Sequence, residues 1–154
     1  MIAPVARSCL FATATAAVIA LGGCAHFVVL HDPLTASEHN DLGVAYESSG
    51  QTRLAAKEYR KSVRLDSRLG RTWVNLGNVE AAEGRWRAAE RSYRRALGES
   101  AADPDAMNNL AIALLRQGRN RDEARALAER AVAAGGERDS LYRATLAEVN
   151  RGGH

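Results

Sequence analysis

The sequence predicts an all-α protein built from stacked helical hairpins, and two observations support this prediction. Ala, Leu, Glu and Arg dominate the 154-residue chain, and aromatic residues make up only 5% of it. These common residues favour helices, and no run of alternating β-branched residues indicates a strand. The second observation is self-similarity at a spacing of 34 residues, a length that suits one helix–turn–helix unit.

The recurring positions hold small residues, leucine, glycine and large aromatics. Three sets recur three times: Leu42, Leu76 and Leu110; Gly43, Gly77 and Ala111; and Gly50, Gly84 and Gly118. The last set predicts the left-handed turn that closes the first helix of each pair. Tyr59 and Tyr93 recur in the second helices, and they would fill the gaps beside the small residues. The third unit has one extra residue near Asn120 and carries Ala128 instead of tyrosine.

The second unit resembles a tetratricopeptide repeat most closely. Its matching residues are Trp73, Leu76 and Gly77, followed by Ala89, Tyr93 and Ala96. The resemblance covers about residues 36–150 and implies a right-handed superhelix of three helical hairpins, at about 36–69, 70–103 and 104–138. One hairpin cannot bury its own apolar face, so neighbours must stack. An irregular helical bundle and another helical-hairpin repeat of similar length are the alternatives.

A final helix is predicted over residues 139–150, after the break at Gly135-Gly136. Leu141, Tyr142 and Val149 share one predicted side with Thr145 and Leu146. We expect this side to cover the open end of the third hairpin.

The amino-terminal region predicts export. Arg7 precedes an uncharged apolar stretch over residues 8–21, which as a helix would be roughly 21 Å long, too short for a bilayer span. Leu21-Gly22-Gly23-Cys24 follows, and this ending resembles the lipobox of bacterial lipoproteins. The resemblance implies that residues 1–23 are a signal peptide that is removed and that Cys24 is lipidated. A plain signal peptide with an incidental cysteine and a retained membrane anchor are the alternatives.

The lipoprotein resemblance also implies a location. Ala25 follows the cysteine, where aspartate would favour the inner membrane, so we expect the periplasmic face of the outer membrane. Residues 24–35 would form the lipidated cysteine and a tether. Thr35 and Glu38 have the spacing of a capping box, which predicts that the first helix begins close to Ala36.

The tetratricopeptide resemblance implies a concave groove lined by the first helices of the hairpins. Asparagine amides there would bond a peptide backbone, arginines would bind a carboxylate, and aliphatic side chains would receive an apolar one. The candidates are Asn40, Val44, Glu47, Arg71, Val74, Asn75, Asn78, Asp105, Asn108, Asn109, Ile112 and Arg116. Consensus asparagines can also be structural, so both readings stay open.

The sequence offers no catalytic, metal or cofactor motif. The four histidines, His26, His31, His39 and His154, lack metal-ligand spacing, and no glycine-rich phosphate loop occurs. The formal net charge of +3 gives no nucleic-acid footprint. We therefore expect no enzyme, no metal, no cofactor and no nucleic acid, and we expect partners that are envelope proteins or peptides.

Within the envelope, several roles fit a membrane-anchored scaffold. The class resemblance implies pilus or secretion-system assembly, or service as an adaptor for an envelope protease or wall hydrolase. A self-associating structural solenoid and a small-molecule binder are the other hypotheses. The arginine-rich stretch from Arg85 to Arg95 is read as a solvated outer face, with contact to anionic lipid or another acidic surface as the alternative.

Overall fold

The computed structural model describes residues 32–151, and it places seven α-helices in this part of the chain. They are α1 (Ala36–Ser48), α2 (Thr52–Leu65), α3 (Gly70–Ala82), α4 (Trp86–Glu99), α5 (Pro104–Arg116), α6 (Arg121–Ala134) and α7 (Asp139–Arg151). The all-α prediction of three hairpins and one further helix is confirmed. The expectations for the signal peptide, Cys24 and the tether up to residue 31 lie outside the described residues. None of the described helices is long and apolar enough to cross a bilayer.

Local sequence sets where the helices begin and turn. The Thr35 hydroxyl accepts from the Glu38 amide at 3.3 Å, and the Thr35 amide donates to the Glu38 carboxylate at 2.8 Å. This reciprocal pair is the predicted capping box. At the hairpin turns, Gly50, Gly84 and Gly118 have φ values of +76°, +71° and +63°, as the left-handed turn requires. The extra residue of the third turn, Asn120, has φ +48° directly before α6.

Within the first two hairpins, a glycine faces a tyrosine ring. A Cβ built on Gly43 would lie 2.6 Å from Cδ1 of Tyr59, and one on Gly77 would lie 2.7 Å from Cδ1 of Tyr93. The rings therefore pack directly on glycine backbone, which brings the two helices close together. In the third hairpin, Ala111 and Ala128 are both fully buried instead.

The hairpins stack through an interface that contains polar groups as well as a core. Ser62 of α2 donates to the Ala36 carbonyl of α1 at 2.6 Å and lies 3.2 Å from the Thr72 hydroxyl of α3. Thr72 in turn donates to Asn40 of α1 at 3.2 Å. These groups are buried or half-buried, so their bonds satisfy polar atoms that would otherwise destabilise the stack.

Helix α7 covers the third hairpin, as expected. Tyr142, Thr145 and Val149 are buried, and the Arg121 guanidinium donates to the Val149 carbonyl at 2.8 Å. This bond satisfies a carbonyl in the last turn of α7. The prediction was wrong for Leu141, which is 47% exposed. Leu141 lies on the side of α7 that faces away from the third hairpin, and no further helix packs there within the described residues.

Candidate peptide-binding face

The first helices of the hairpins lie side by side along one face of the stack. Helix α3 contacts α5, α5 contacts α7, and the side chains of Asn40 and Asn75 join α1 to α3. We call the exposed surface of α1, α3, α5 and α7 the concave face. All predicted peptide-binding residues lie on these helices, but their side chains differ in exposure and in partners.

Two of the predicted amides lie inside the stack. Asn40 is 3% exposed and Asn108 is fully buried. The Asn40 oxygen accepts from Thr72 and from Asn75, at 3.2 and 3.0 Å, and the Asn108 amide donates to Asn109 at 3.2 Å. The expectation that Asn40 and Asn108 face a ligand does not fit this burial, because a ligand cannot reach them without separating the helices.

The other asparagines connect successive repeats. The Asn109 amide of α5 donates to the Asn78 oxygen of α3 at 2.9 Å, and the same oxygen accepts from the Tyr93 hydroxyl at 3.0 Å. Asn75 makes the matching bond between α3 and α1. Asn75, Asn78 and Asn109 are half-buried, so each holds the stack together and still borders the concave face.

The charged candidates all have partners on the protein. Arg71 donates to the Ser37 hydroxyl at 2.7 Å, and Arg116 lies 3.4 Å from Glu148 of α7. Both arginines are more than half exposed, so these contacts are weak and can exchange for a ligand carboxylate.

Two tyrosine hydroxyls bond to the acidic candidates. Tyr59 donates to Glu47 at 2.7 Å, and Tyr142 donates to Asp105 at 2.8 Å. Burial and the bond to Glu47 raise the pKa of Tyr59, while burial and the bond to Asp105 raise the pKa of Tyr142 to about 12. Arg138 lies 3.1 Å from Asp105 as well, so this carboxylate belongs to the junction with α7.

The apolar candidates form the open part of the face. Val44 is 47% exposed, and Val74 and Ile112 are partly exposed. Ile112 borders a cavity of about 250 Å³ between α3, α4 and α5. Its other lining residues are Asn78, Ala81, Ala82, Trp86, Tyr93 and Asn109. An apolar wall with amides at its edge suits an apolar side chain of a bound peptide and the backbone next to it.

Sequence reasoning missed Trp86, Ala81 and Ala82 as members of this cavity. Trp86 begins α4, a second helix, whereas the predicted groove residues all lie on first helices. Ala81 and Ala82 lie in the last turn of α3, beyond the predicted groove residues of that helix. The sequence does contain a signal for Trp86, because the equivalent residue of the first hairpin is Thr52 and a tryptophan is not needed to start the helix.

His39, one of the four histidines without metal-ligand spacing, is fully buried in α1. Its Nδ1 lies 2.7 Å from a carboxylate oxygen of Glu58, and the Lys61 ammonium lies 3.2 Å from the same oxygen. Among residues 32–151, no group of three His, Cys, Asp or Glu side chains is placed to hold a metal ion.

Known structures share this arrangement of helices. The first tetratricopeptide domain of Spaghetti (RPAP3), bound to the HSP90 peptide SRMEEVD, matches with a TM-score of 0.72 and 16% identity over 77% of this chain and 92% of that one. MamA matches with a TM-score of 0.71 and 21% identity, over 79% of this chain and 70% of that one.

The Yersinia enterocolitica type III secretion chaperone SycD, in complex with a peptide of the translocator YopD, is a further match. Its TM-score is 0.68 and its identity 19%, over 77% of this chain and 94% of that one. At these identities the likeness shows the fold. No curated protein sequence matches the chain.

Two family models, each described as a tetratricopeptide repeat, match residues 39–68 and 74–139. Together the two segments run from the first turn of α1 to the start of α7 with only a short gap. The glycine turns, the glycine–tyrosine contacts and the side-by-side first helices described above are the structural counterpart of these matches. The chain therefore belongs to the tetratricopeptide-repeat family.

Proposed function

We propose that this protein is an interaction adaptor that binds a peptide segment of a partner protein on its concave face. The observation that carries the proposal is the open cavity between α3, α4 and α5, with an apolar wall and an edge of asparagine amides. Two similar structures are complexes with peptides, the HSP90 peptide and the YopD peptide, and they support the same mode of binding. The family resemblance supports a binding role instead of catalysis.

The cavity favours a particular kind of segment. Ile112, Ala81 and Ala82 offer apolar contact, and Trp86 and Tyr93 add ring surface, so an aliphatic or aromatic anchor side chain would gain most from burial here. The Asn109 nitrogen donates to Asn78 and its oxygen accepts from Asn108, which leaves the second N–H and one lone pair of the oxygen for a peptide backbone. Val44 extends the apolar surface towards α1 for a second side chain.

The test uses a substitution that adds bulk without removing a native contact. Ala82 is exposed at the cavity edge, and an arginine there would extend a long charged side chain into the cavity. Ala126, which is exposed on α6, gives a control with the same substitution and the same added charge. Affinity purification from detergent-solubilised envelope is expected to lose the partner with Ala82→Arg and to keep it with Ala126→Arg. Equal recovery with both variants would place the binding surface elsewhere.

We also propose that the adaptor is a lipoprotein of the bacterial cell envelope. The proposal rests on the apolar stretch 8–21 and on Leu21-Gly22-Gly23-Cys24, which suit export followed by lipidation of Cys24. A single acyl chain binds membranes only marginally, and two or more hold a protein firmly. Ala25 after the cysteine favours the outer membrane as its site.

Incorporation of labelled palmitate in a bacterial host tests the anchor, and the chain supplies its own control. Cys24→Ala is expected to abolish labelling, whereas Cys9→Ala, in the segment proposed to be removed, is expected to leave it unchanged. Label that persists in Cys24→Ala would exclude this cysteine as the lipidation site.

For the pathway, we propose pilus or secretion-system assembly as the leading role. A tetratricopeptide adaptor on a membrane can hold an assembly component near its site of use, and the likeness to a secretion chaperone with a translocator peptide is in keeping with this role. An adaptor for an envelope protease or wall hydrolase is the alternative. The identity of the partner recovered with wild type and lost with Ala82→Arg separates the two.

A further inference from the structure

A second cavity, which we call the arginine cavity, lies at the turn end of the second and third hairpins and shares Trp86 with the cavity of the concave face. Its volume is about 570 Å³, and its lining includes Arg85, Arg87, Arg91 and Arg119 together with Trp86 and Gln117. No carboxylate side chain lines it. Four guanidinium groups around one open cavity form a site for an anion with several oxygen atoms, because each guanidinium donates in a planar fork.

Nearby acidic residues neutralise only part of this charge. Arg85 lies 2.7 Å from Glu83, and Arg119 lies 4.0 Å from Glu90, which also contacts Arg94 at 3.1 Å. Within the described residues, Arg87 and Arg91 form no ion pair. The cavity therefore keeps an excess of positive charge.

Comparison with the first hairpin shows that the fold does not require an arginine at position 85, whereas Arg87 and Arg91 align with the basic residues Arg53 and Lys57. The equivalent cavity between the first and second hairpins, of about 500 Å³, is lined by Gln51, Arg53 and Glu83 among others. In register, Arg85 replaces Gln51 and Gln117 replaces Glu83. Both replacements make the arginine cavity more positive than its counterpart between the first and second hairpins, which has a neutral and an acidic residue at these two positions.

The surroundings of the arginine cavity indicate what anion it meets. The outer helices α2 and α4 carry further basic residues: Arg53, Lys57, Arg60, Lys61, Arg64, Arg94 and Arg95. Three of them pair with glutamates, Arg60 with Glu80, Lys61 with Glu58, and Arg94 with Glu90 and Glu123. The one acidic residue of α2, Glu58, is buried against His39 and Lys61. A broad surface on which basic residues outnumber acidic ones matches a membrane, which presents many headgroups at once, better than it matches one acidic segment.

Apolar side chains stand at the same end of the hairpins. Trp86 is partly exposed between the arginines, and Leu54, at the neighbouring cavity, is 39% exposed. Aromatic rings next to arginines are typical of the headgroup level of a bilayer, where the ring enters the interface and the guanidinium binds phosphate.

We propose that the arginine cavity binds the phosphate of an anionic phospholipid and seats the turn end of the hairpins on the membrane surface. The contact does not require the lipid on Cys24 or the concave face.

The experiment uses residues 24–154 with Cys24→Ser, so that no acyl chain contributes. All buried side chains of the described helices lie within residues 39–149, so this chain keeps the whole core. Flotation with phosphatidylcholine vesicles is compared with flotation with phosphatidylcholine–phosphatidylglycerol vesicles. We expect binding to the anionic vesicles alone, and we expect it to weaken as salt is added.

The decisive variant is Arg87→Gln with Arg91→Gln, and its control is Arg68→Gln with Arg138→Gln, which removes the same charge at the opposite end of the hairpins. Arg68 and Arg138 are 83% and 62% exposed. The first pair is expected to weaken partitioning roughly 30-fold, and the control pair to change it by less than about threefold. Unchanged circular dichroism melting shows that both variants fold.

Three results would overturn the proposal: no binding to anionic vesicles, equal binding to both kinds of vesicle, or equal losses with the two variants. Binding to a polyglutamate peptide without binding to vesicles would assign the cavity to an acidic protein instead. None of these results bears on palmitate labelling of Cys24 or on the partner lost with Ala82→Arg, so the proposals fail separately.

Discussion

The close contact between Gly77 and Tyr93 predicts that Gly77→Ala destabilises the wild-type protein but stabilises a Tyr93→Ala variant. In Gly77→Ala the new Cβ would lie 2.7 and 2.9 Å from Cδ1 and Cζ of Tyr93, where carbon atoms prefer about 3.5–4.0 Å. The ring is 2% exposed and its hydroxyl bonds to Asn78 at 3.0 Å, so it cannot move without disturbing the core or this bond.

The magnitude follows from three contributions. Overpacking costs about 1–3 kcal/mol, and loss of the tyrosine bond adds about 1 kcal/mol. Alanine in place of glycine returns about 1 kcal/mol through helix propensity. Gly77→Ala is therefore expected to lower the free energy of unfolding by about 1–3 kcal/mol.

In a Tyr93→Ala background the clash is absent and the helix propensity is retained. The same Gly77→Ala substitution should then raise the free energy of unfolding by up to about 1 kcal/mol, giving a coupling energy of about 2–4 kcal/mol. The third hairpin already carries this combination, as Ala111 and Ala128.

Urea unfolding followed by circular dichroism measures both effects on residues 24–154 with Cys24→Ser. Gly98 supplies the control, because no atom lies within 4 Å of a Cβ built there, and Gly98→Ala should be neutral or stabilising. A stabilising Gly77→Ala in the wild-type background, or equal effects in both backgrounds, would refute the close glycine–tyrosine contact.

Two further substitutions test the contacts between repeats. Asn40→Ala should cost about 1–3 kcal/mol in urea unfolding, because Thr72 and Asn75 lose their shared buried acceptor. Glu129→Ala, at an exposed position of α6 that forms no bond within the described residues, should cost almost nothing. Arg94 joins α4 to α6 through two bonds to Glu123, at 2.6 and 3.0 Å, and the bond from Arg94 lowers the pKa of Glu123. Because the lowered pKa belongs to the folded state, this pair stabilises the protein above the unfolded-state pKa of Glu123, and the contribution is lost as the pH falls through the folded one. Arg94→Gln should therefore lower the free energy of unfolding at neutral pH by less than about 1 kcal/mol, because both groups are partly exposed. The difference from the wild-type protein, measured as a shift in melting temperature, should vanish in acid. A difference that stays constant between neutral and acidic pH would contradict the assigned pair.

Much of the fold could be predicted because its determinants are local or periodic. The capping box at Thr35 and the turn glycines each favour one local backbone geometry. The 34-residue spacing between Gly43 and Gly77 shows where the hairpin repeats. Leu141 was misplaced because a helix at the end of a stack has a neighbour on one side only. The helical period alone does not show how wide the covered side is.

The candidate site was less predictable because its side chains depend on neighbours distant in sequence. Asn40 and Val74 occupy the same register position, yet Asn40 is buried, since Thr72 and Asn75 of the next hairpin bond to its oxygen. The cavity, likewise, depends on Trp86 from a second helix as well as on Ile112 from a first helix. The position of a residue within the repeat predicts which face of the helix it lies on, whereas its exposure depends on the side chains of the neighbouring repeat that pack against it.

Site-specific photo-crosslinking in cells tests the docking role of the concave face most directly. A photoreactive residue at Val44 or Ala82 should form an adduct with one and the same partner protein, and the same residue at Ala126 should form none with it. Adducts of equal yield from Ala126, or different partners from Val44 and Ala82, would contradict a single peptide-binding face along α1, α3 and α5.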